Sequence, residues 1–548
     1  MSKVNVEELK INSDGLRGNI VEEFSNEKSF VTEETYQLLK FHGMYQQDDR
    51  DLRKQRSAEG LERAYSFMIR SRVPGGIITP QQYLAHNKIS DLWGNNTLRL
   101  TTREAFQVHG ILKGDVKSVI LTINQALLST ISACGDVNRN VIVTTDPVKS
   151  DINLKLQELA VKIADHLTPK STAYHEIWLD GEPVQKAVEE PIYGKTYLPR
   201  KFKIAITKAG DNSIDVFTND IGIVAITENE TISGYNLYIG GGLGKTHNME
   251  ETFPRLSDAF GFVKEEQVIE VIEAIVKVQR DHGNRENRKL ARMKYLVAAK
   301  GVDWFRDRVA EFTGFQLESF VPIPEWTYSK YLGWTDQKNG KWTYGLFIEN
   351  GRILDKENFL LKTALTTIAT NFDINFRLTA TQDIQIQDIQ EKDKPSINEI
   401  LATHGISLSE TYSETRTASI ACPALPTCGL ALGESERIMP DIISMIDKNL
   451  SEVGLSGFQI VTRMTGCPNG CARPYSAELA FVGKSGINYE IHVGGSHNGT
   501  RLTQVYHDAY PITKFDDLFK NLFTRFAAEK TENETFGDWS NRALIKTP

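Results

Sequence analysis

Four of the five cysteines fall into two closely spaced pairs. Cys422 and Cys428 lie in ACPALPTCGL, and Cys467 and Cys471 lie in TGCPNGCARP. Five cysteines in 548 residues are too few for a disulfide scaffold, and paired thiols flanked by Gly and Pro more often hold a metal in a reduced protein. We therefore predict that these four thiolates ligate zinc or an iron–sulfur cluster.

The gaps within the two pairs favour the cluster. A structural zinc site usually has short two-residue gaps, whereas the gaps here are five and three residues long. The flanking Gly and Pro residues allow the backbone to fold around a cubane and to donate N–H groups to its sulfurs. Zinc and four unrelated buried cysteines stay as alternatives. The fifth cysteine, Cys134, is predicted to pack as a small apolar residue.

Two lysines in PRKFK (199–203) have a spacing that suits anion binding. Lys201 and Lys203 flank Phe202, so in a β-strand both lysine side chains face the same side. They would then share a pocket, or form a charged patch on an exposed edge strand. The spacing alone favours the patch.

The composition is that of a large globular protein. The 548 residues, 40% of them hydrophobic, predict about three to four domains and exclude a small binding module, bulk disorder or a collagen-like chain. The net charge of -8 argues against non-specific nucleic-acid binding. No apolar run is long enough to span a membrane, and the N-terminus lacks a leader composition. We therefore predict a soluble cytoplasmic protein that binds neither nucleic acid nor membranes.

Two internal repeats occur in the same order along the chain. Arg99-Leu100-Thr101, followed by 106–108, recurs as 377–379, followed by 384–386; YNLYIGG (235–241) resembles YEIHVGG (489–495). We therefore predict duplicated halves related by pseudo-twofold symmetry, with a site at their junction. Short β-rich runs alternate with helical stretches and predict an α+β fold; these are the strand-like 76–79, 141–145, 203–207 and 235–241, and the helical 265–278.

The two copies differ where chemistry is expected. Arg103 in the first copy aligns with Thr381 in the second, the paired cysteines lie in the second, and PRKFK lies in the first. One half thus carries the candidate metal ligands and the other the candidate cationic groups. The glycine-rich IGGGLGKT (239–246) is not a phosphate-binding loop, because Ile239 and Lys245 replace glycines that such loops need.

The paired-cysteine motif resembles the coupled sirohaem and [4Fe-4S] centre of the sulfite and nitrite reductase family. The resemblance continues through RSRVPGGIIT (70–79), RLTTREAFQVHG (99–110), VNRNV (137–141) and YLPRKFK (197–203). A further stretch, KFHGMYQQDDRDLR (40–53), resembles the NADPH-dependent sulfite reductases of that family. The match spans nearly the whole chain.

This resemblance implies an internally duplicated α+β fold with ferredoxin-like half-domains and two larger α+β domains around a central cofactor. On this basis we predict paired half-domains at 61–133 and 345–410, a first α+β domain at 134–344 and a second at 411–548. Residues 1–60 are charge-dense and are predicted to form an arm that docks a partner, with a solvated arm as the alternative.

The resemblance also implies the cofactors and their ligands. Cys422, Cys428, Cys467 and Cys471 would bind the [4Fe-4S] cluster, and the Cys471 thiolate would bridge it to the haem iron. Sirohaem carries eight carboxylates in this family, so its cavity must supply cations or hydrogen-bond donors. The cofactor-binding residues implied are Arg99, Thr101, Arg103, Gln107, His109, Arg292, Asn469 and Cys471.

The substrate and electron donor are implied in the same way. The catalytic residues would be Arg70, Arg139, Lys201 and Lys203. Arginine binds oxyanions in a fork, and a lysine can donate protons once neighbouring charges lower its pKa. The implied reaction is the six-electron reduction of sulfite to sulfide in assimilatory sulfur metabolism and cysteine biosynthesis. The sequence has no nicotinamide or flavin fingerprint, so electrons would come from an NADPH-oxidising flavoprotein subunit carrying FAD and FMN.

Two other functions stay open. A nitrite reductase uses the same metals, although Lys203 favours sulfite because nitrite-specific relatives tend to have Asn there. A non-catalytic iron–sulfur electron carrier would hold the cluster without a tetrapyrrole.

Overall fold

The computed structural model describes residues 4–181 and 190–545. Within these ranges the strands form four five-stranded sheets and one two-stranded ribbon. In chain order the strands are β1 (Met44–Asp48), β2 (Tyr65–Arg70), β3 (Ile77–Ile78), β4 (Leu98–Leu100), β5 (Phe106–Ile111), β6 (Ile142–Val143), β7 (Ile204–Lys208), β8 (Ile221–Glu228), β9 (Thr231–Ile239), β10 (Asp258–Val263), β11 (Gly333–Asp336), β12 (Lys341–Leu346), β13 (Arg352–Ile353), β14 (Asp355–Lys356), β15 (Phe359–Leu360), β16 (Asn375–Leu378), β17 (Ile384–Gln390), β18 (Ser419–Ala421), β19 (Thr462–Thr465), β20 (Leu479–Ser485), β21 (Asn488–Val493) and β22 (Gln504–Pro511).

Helices connect these strands and cover the sheets. No helix in the described part of the chain is long and apolar enough to cross a membrane. The helices are α1 (Val6–Asn12), α2 (Ile20–Ser25), α3 (Glu33–Leu39), α4 (Arg53–Ala58), α5 (Pro80–Leu92), α6 (Val116–Gln125), α7 (Asp151–His166), α8 (Ala173–Trp178), α9 (Val268–His282), α10 (Met293–Lys300), α11 (Val302–Thr313), α12 (Leu361–Asn371), α13 (Lys394–Thr403), α14 (Glu414–Thr417), α15 (Met439–Glu452), α16 (Phe515–Glu529) and α17 (Phe536–Ala543).

The predicted duplication is confirmed by two sheets with the same antiparallel topology. One has the order β1-β2-β5-β4-β13, and the other has the order β11-β12-β17-β16-β3. The repeat also preserves register, because Arg99 faces Gln107 in the first sheet and Arg377 faces Gln385 in the second. A register shift of one residue would turn every side chain to the other face. The two copies therefore present the same positions to equivalent sides.

These two sheets exchange their outermost strands. β13 follows the second copy's β12 but pairs with β4 of the first copy, and β3 of the first copy pairs with β16 of the second. Each exchanged strand has only two residues. Neither sheet is complete without the other copy, so the exchange fixes how the halves sit against each other.

The other two sheets form a second duplicated pair. In the sheet of β6 to β10, the first three strands are parallel and the last three are antiparallel, and β18 to β22 repeat this pattern. The YNLYIGG and YEIHVGG segments lie on the equivalent strands β9 and β21. The predicted helical periodicity at 265–278 is confirmed by α9, whose apolar face is buried.

The N-terminal segment is part of the fold rather than a free arm. β1 is the edge strand of the first sheet, and Leu39, Phe41 and Met44 are buried in the core. The alternative of a solvated arm is therefore wrong for residues 4–48, because apolar side chains such as Leu39, Phe41 and Met44 pack inward despite the high local charge density. Residues 1–3 of that predicted arm lie outside the described residues.

The strand pairings also cross two predicted domain limits. β1 joins the first sheet from before residue 61, and β11 joins the second sheet from before residue 345. The hydrophobic pattern did not show these edge strands, since both are short and only partly buried.

Replacing Leu39 with Ala tests whether the N-terminal segment contributes to stability. Leu39 is 0% exposed, so Leu39→Ala should lower the free energy of unfolding by about 2–5 kcal/mol through lost burial and a cavity. Leu52→Ala is the matched control, since Leu52 is 39% exposed in the same segment. Guanidinium-induced unfolding measures both. Equal and small effects for the two variants would contradict the packing of this segment.

Candidate active site

The two lysines of PRKFK face one side, as their spacing predicts. Phe202, between the two lysines, is buried in the core with 1% of its surface exposed. It forms a parallel β-bridge with Asn138. The Lys203 backbone N–H donates to Asp220 Oδ2 at 2.9 Å. The lysine side chains are half-buried on the opposite side from Phe202. The structure does not place the lysines on an exposed edge strand, because they directly precede β7, which lies between β6 and β8.

Two predicted anion-binding arginines meet beside these lysines. Arg139 Nη1 donates to the Ala133 carbonyl at 2.8 Å, and Arg70 Nη1 donates to the same carbonyl at 3.2 Å. The Arg139 charge also acts on Lys201. The structure therefore brings together all four residues predicted to bind substrate.

Burial and neighbouring positive charges lower the pKa of both lysines. Burial, followed by the Arg200 and Arg292 charges, lowers the pKa of Lys201 to about 7. Burial and the charge of Lys201 lower the pKa of Lys203 well below its usual value. Lys201 can therefore gain or lose a proton near neutral pH, which an ordinary lysine cannot do.

A buried carboxylate organises this cationic cluster. Asp220 is fully buried; besides the Lys203 N–H, it accepts a hydrogen bond from Arg292 Nη2 at 2.8 Å. Lys294 lies nearby, and burial together with the Arg292 charge lowers its pKa to about 6. Basic side chains outnumber carboxylates in this cluster, and a polyanion bound there would favour the protonated forms of the lysines.

The cysteine loops follow two neighbouring parallel strands. β18 pairs with β19 in parallel, and Cys422 follows β18 as Cys467 follows β19. Because carboxyl ends of adjacent parallel strands meet at one sheet edge, the two loops face each other. The Gly466 N–H donates to Cys422 Sγ at 3.3 Å, and Asn469 Nδ2 donates to Cys467 Sγ at 3.6 Å.

The thiol environment fits an iron–sulfur cluster. Burial and the Cys471 charge raise the pKa of Cys422 and Cys428, and raise that of Cys467 to about 12, so a metal centre is needed to keep the thiolates deprotonated. Gly466 allows close packing, since a Cβ there would lie 2.6 Å from the Ala424 Cβ. Among the described residues, no three His, Cys, Asp or Glu side chains could hold a single metal ion.

Cys471 lies between the thiols and the cations. It is the exposed member of the four, and its charge acts both on Lys201 and Lys203 and on the other three thiols. Thr102 Oγ1 donates to the Cys471 carbonyl at 3.1 Å. The first copy thus supplies the cations and the second the thiols, and they meet at the junction that the repeats predict.

Gln107 and His109 lie on β5 in a hydrogen-bonded chain. When the side-chain amide of Gln107 is oriented with its oxygen towards Arg70, that oxygen accepts a hydrogen bond from Arg70 Nε at 3.1 Å. The amide nitrogen then lies 3.3 Å from His109 Nε2. His109 Nδ1 lies 3.1 Å from Gln47 Oε1. Burial and the Arg352 charge lower the pKa of His109 to about 3, so its ring is neutral at physiological pH.

Arg99 has different immediate partners from those that the sequence suggests. Its Nε donates to Glu436 Oε2 at 2.9 Å, and its Nη2 donates to the Ala421 carbonyl at 2.6 Å. Arg352 Nε donates to the other oxygen of Glu436 at 2.6 Å. Burial would raise the pKa of Glu436, but the Arg352 and Arg99 charges lower it to about 2. Arg99 therefore ties β4 to the first cysteine loop.

Part of the Arg103 guanidinium is also hydrogen-bonded to other residues of the chain. Its Nη1 donates to Asn219 Oδ1 at 2.6 Å and its Nη2 donates to the Ile204 carbonyl at 2.9 Å, whereas its Nε is buried without a partner among the described residues. Thr101 Oγ1 accepts the Arg103 N–H at 3.1 Å. Thr101 thus shapes the turn, and the neighbouring Thr102 makes the contact with Cys471.

Comparisons with known proteins agree with this arrangement. The family model "Nitrite and sulphite reductase 4Fe-4S domain" matches residues 159–317, and "Nitrite/Sulfite reductase ferredoxin-like half domain" matches 61–126 and 335–404. Curated relatives named "Sulfite reductase [NADPH] hemoprotein beta-component" include those of Staphylococcus saprophyticus (46% identical; 98% of this chain and 95% of the relative covered), Oceanobacillus iheyensis (44%; 98% and 94%) and Shewanella sp. strain ANA-3 (45%; 98% and 96%). The chain belongs to the nitrite and sulfite reductase family.

A solved structure extends the comparison to the whole fold. The Mycobacterium tuberculosis NirA protein superposes with a TM-score of 0.81 over 98% of this chain and 96% of that chain, at 23% identity. The predicted fold class is thereby confirmed. Family membership implies an iron–sulfur and haem-type cofactor. The 4Fe-4S model matches the first copy of the sheet pair, whereas the paired cysteines of this reductase lie in the second.

Removing one thiol tests the assignment of the cysteine loops. Cys428→Ala should lower iron and acid-labile sulfide per chain, because three thiolates hold a cubane less firmly than four. Cys134→Ala is the control, since Cys134 is a buried free cysteine outside the two loops. Equal iron content in both variants would contradict the assignment.

Proposed function

We propose that this chain reduces sulfite to sulfide with six electrons as the haemoprotein component of an NADPH-dependent sulfite reductase. The observation that carries the proposal is the meeting of Lys201 and Lys203 with the exposed Cys471 at the junction of the copies. The proposal is supported by the printed names of relatives at 44–46% identity over nearly the full chain. In this role the protein serves assimilatory sulfur metabolism and cysteine biosynthesis in the cytoplasm.

The cofactors proposed are sirohaem and a [4Fe-4S] cluster joined through the Cys471 thiolate. When bound, they would supply the electrons and the iron that holds the substrate sulfur. The cluster ligands would be Cys422, Cys428, Cys467 and Cys471. The buried basic side chains of Arg103, Arg292 and Lys294 suit a macrocycle with many carboxylates, whose charge would favour the protonated form of Lys294. Further cofactor contacts are proposed for Arg99, Thr101, Gln107, His109 and Asn469.

The chain's own residues bind the oxyanion and deliver protons. Arg70 and Arg139 are oriented by the Ala133 carbonyl, and their remaining N–H groups would hold sulfite oxygens and weaken the S–O bonds. Lys201, with a pKa of about 7, would donate protons to each departing oxygen. Three oxygens leave as water after taking up two protons each, one proton stays on the sulfide, and six electrons enter. Bisulfite already carries one of these seven protons.

Electrons are proposed to come from a flavoprotein subunit that oxidises NADPH through FAD and FMN. The term "beta-component" in the relatives' names implies a partner subunit for those proteins. We propose that the exposed face of the N-terminal segment takes part in docking this subunit, including α4, which has no buried residue.

One preparation of the holoprotein tests the function. Its visible spectrum should show a Soret band and a red band typical of a reduced tetrapyrrole, and a chemical reductant should support sulfide formation. The kcat/KM for sulfite should exceed that for nitrite, because Lys203 adds a cation where nitrite-specific relatives tend to have Asn. A spectrum without tetrapyrrole bands leaves the electron-carrier alternative, and a higher kcat/KM for nitrite supports a nitrite reductase.

Lys201→Arg separates anion binding from proton donation. Arginine keeps the positive charge but does not release its proton near neutral pH, so kcat should fall by about 10²-fold or more while KM changes little. In the wild type the Lys201 proton is present below pH 7 and lost as pH rises through about 7; kcat should therefore fall above pH 7, and the variant should lose this dependence. Lys208→Arg, at the end of the following strand β7 and paired with Asp146, is the control. An unchanged kcat in Lys201→Arg would contradict the proton-donor role.

A further inference from the structure

Arg50 connects the N-terminal segment to the first cysteine loop. Its backbone N–H donates to the Pro426 carbonyl at 3.1 Å, and its Nη1 donates to the Cys428 carbonyl at 3.2 Å. The same Nη1 also donates to the Ala431 carbonyl. Arg50 thus forms hydrogen bonds to the loop at Cys428, a predicted cluster ligand, and at one residue on either side of it.

The loop needs such support because its outer side faces solvent. Gly429 is exposed and Leu430 is 67% exposed directly after Cys428. Within the loop, the Cys428 N–H donates to the Ala424 carbonyl at 2.8 Å, which forms one turn without a helix or strand behind it. Arg50, two residues after β1, therefore supplies hydrogen bonds from a segment nearly four hundred residues earlier in the chain.

Arg50 also brings a permanent positive charge to the thiolates. A guanidinium stays protonated at every physiological pH, and among the described residues Arg50 has no ion-pair partner within 4.0 Å, although Asp48 and Asp51 lie in the same turn. Reduction makes a cluster one unit more negative, so a cation close to its ligands stabilises the reduced form more than the oxidised form. The charge therefore acts on the reduction potential as well as on the loop.

We propose that Arg50 is a positioning residue of the iron–sulfur centre, which holds the Cys428 loop in place and raises the reduction potential of the cluster. This inference rests on the proposed function, because it needs the cluster at these thiols. The QQDDRDLR stretch (46–53) would then influence electron transfer through the cluster, in addition to any role in docking the partner subunit.

The chain offers a matched control on the same surface. Arg437 Nη1 donates to Asp51 Oδ2 at 2.6 Å, and its Nε donates to Glu434 Oε2 at 3.0 Å. Its charge is thus paired with two acids, and its hydrogen bonds do not go to the cysteine loop. Arg437→Gln removes a nearby arginine without removing the loop contacts.

The experiment compares full-length holoprotein of the wild type, Arg50→Gln, Arg50→Lys and Arg437→Gln. Iron and labile sulfide per chain measure loading, and an EPR-monitored redox titration measures the cluster midpoint potential. Arg50→Gln should lower the midpoint, Arg50→Lys should stay closer to the wild type because it keeps the charge, and Arg437→Gln should not shift it.

Two outcomes overturn the proposal: an unchanged midpoint in Arg50→Gln at full iron loading, or an equal shift in Arg437→Gln. If Arg50→Gln binds too little iron to titrate, Arg50→Lys decides. Full loading and a near wild-type midpoint in Arg50→Lys support the proposal, whereas iron loss as large as in Arg50→Gln overturns the contribution of charge. A wild-type protein without a cluster signal would instead contradict the proposed function.

Discussion

The carboxylate of Glu436 is the interaction on which the assembly of the site depends. It accepts hydrogen bonds from Arg99 of one copy and Arg352 of the other, and these two arginines face each other across the exchanged pair β4 and β13. The Glu436 backbone N–H donates to the Cys422 carbonyl at 3.1 Å. A single, largely buried anion therefore joins a strand of each sequence copy, β4 and the exchanged β13 of the first sheet, to the first cysteine loop, and removing one partner would leave charges buried without compensation.

Gene duplication explains why the site can combine opposite chemistries. Cations gather before the parallel strands of the first copy, at Arg139, Lys201 and Lys203, whereas thiols follow the parallel strands of the second. Each copy alone would carry either an unneutralised cluster of cations or a set of thiols with raised pKa. The strand exchange holds the two sets at fixed distance, so that an anionic ligand and a metal centre can be accommodated side by side.

Local patterns were enough to predict the features that depend on spacing. The alternation around Phe202, the periodicity of α9, the repeats and the paired cysteines all have a direct geometric meaning, and the structure confirms the first three. The N-terminal packing was not predictable in this way, because charge density hides the few apolar residues, such as Leu39 and Phe41, that anchor it.

Partners that are distant in sequence also escaped prediction. Arg99 is paired with Glu436, which lies more than three hundred residues later, and Asp220, Thr102 and Arg50 make contacts that no sequence motif marks. The neighbouring sequence of an arginine in a charged segment does not show whether its side chain faces water or donates to a buried carbonyl. Only the tertiary fold distinguishes these cases, since burial and hydrogen-bond partners are set by other elements.

The exchanged strands β3 and β13 also determine the order in which the sheets can be completed during synthesis of the chain. β3 must wait for β16, since Ile77 pairs with Arg377, and at ~5–20 residues/s the ribosome needs about 15 to 60 s to make the intervening 300 residues. For most of that interval β4 of the first sheet also lacks its partner β13, and its open edge is a template for pairing with other chains. The chain is therefore expected to depend on chaperone protection until its second half emerges.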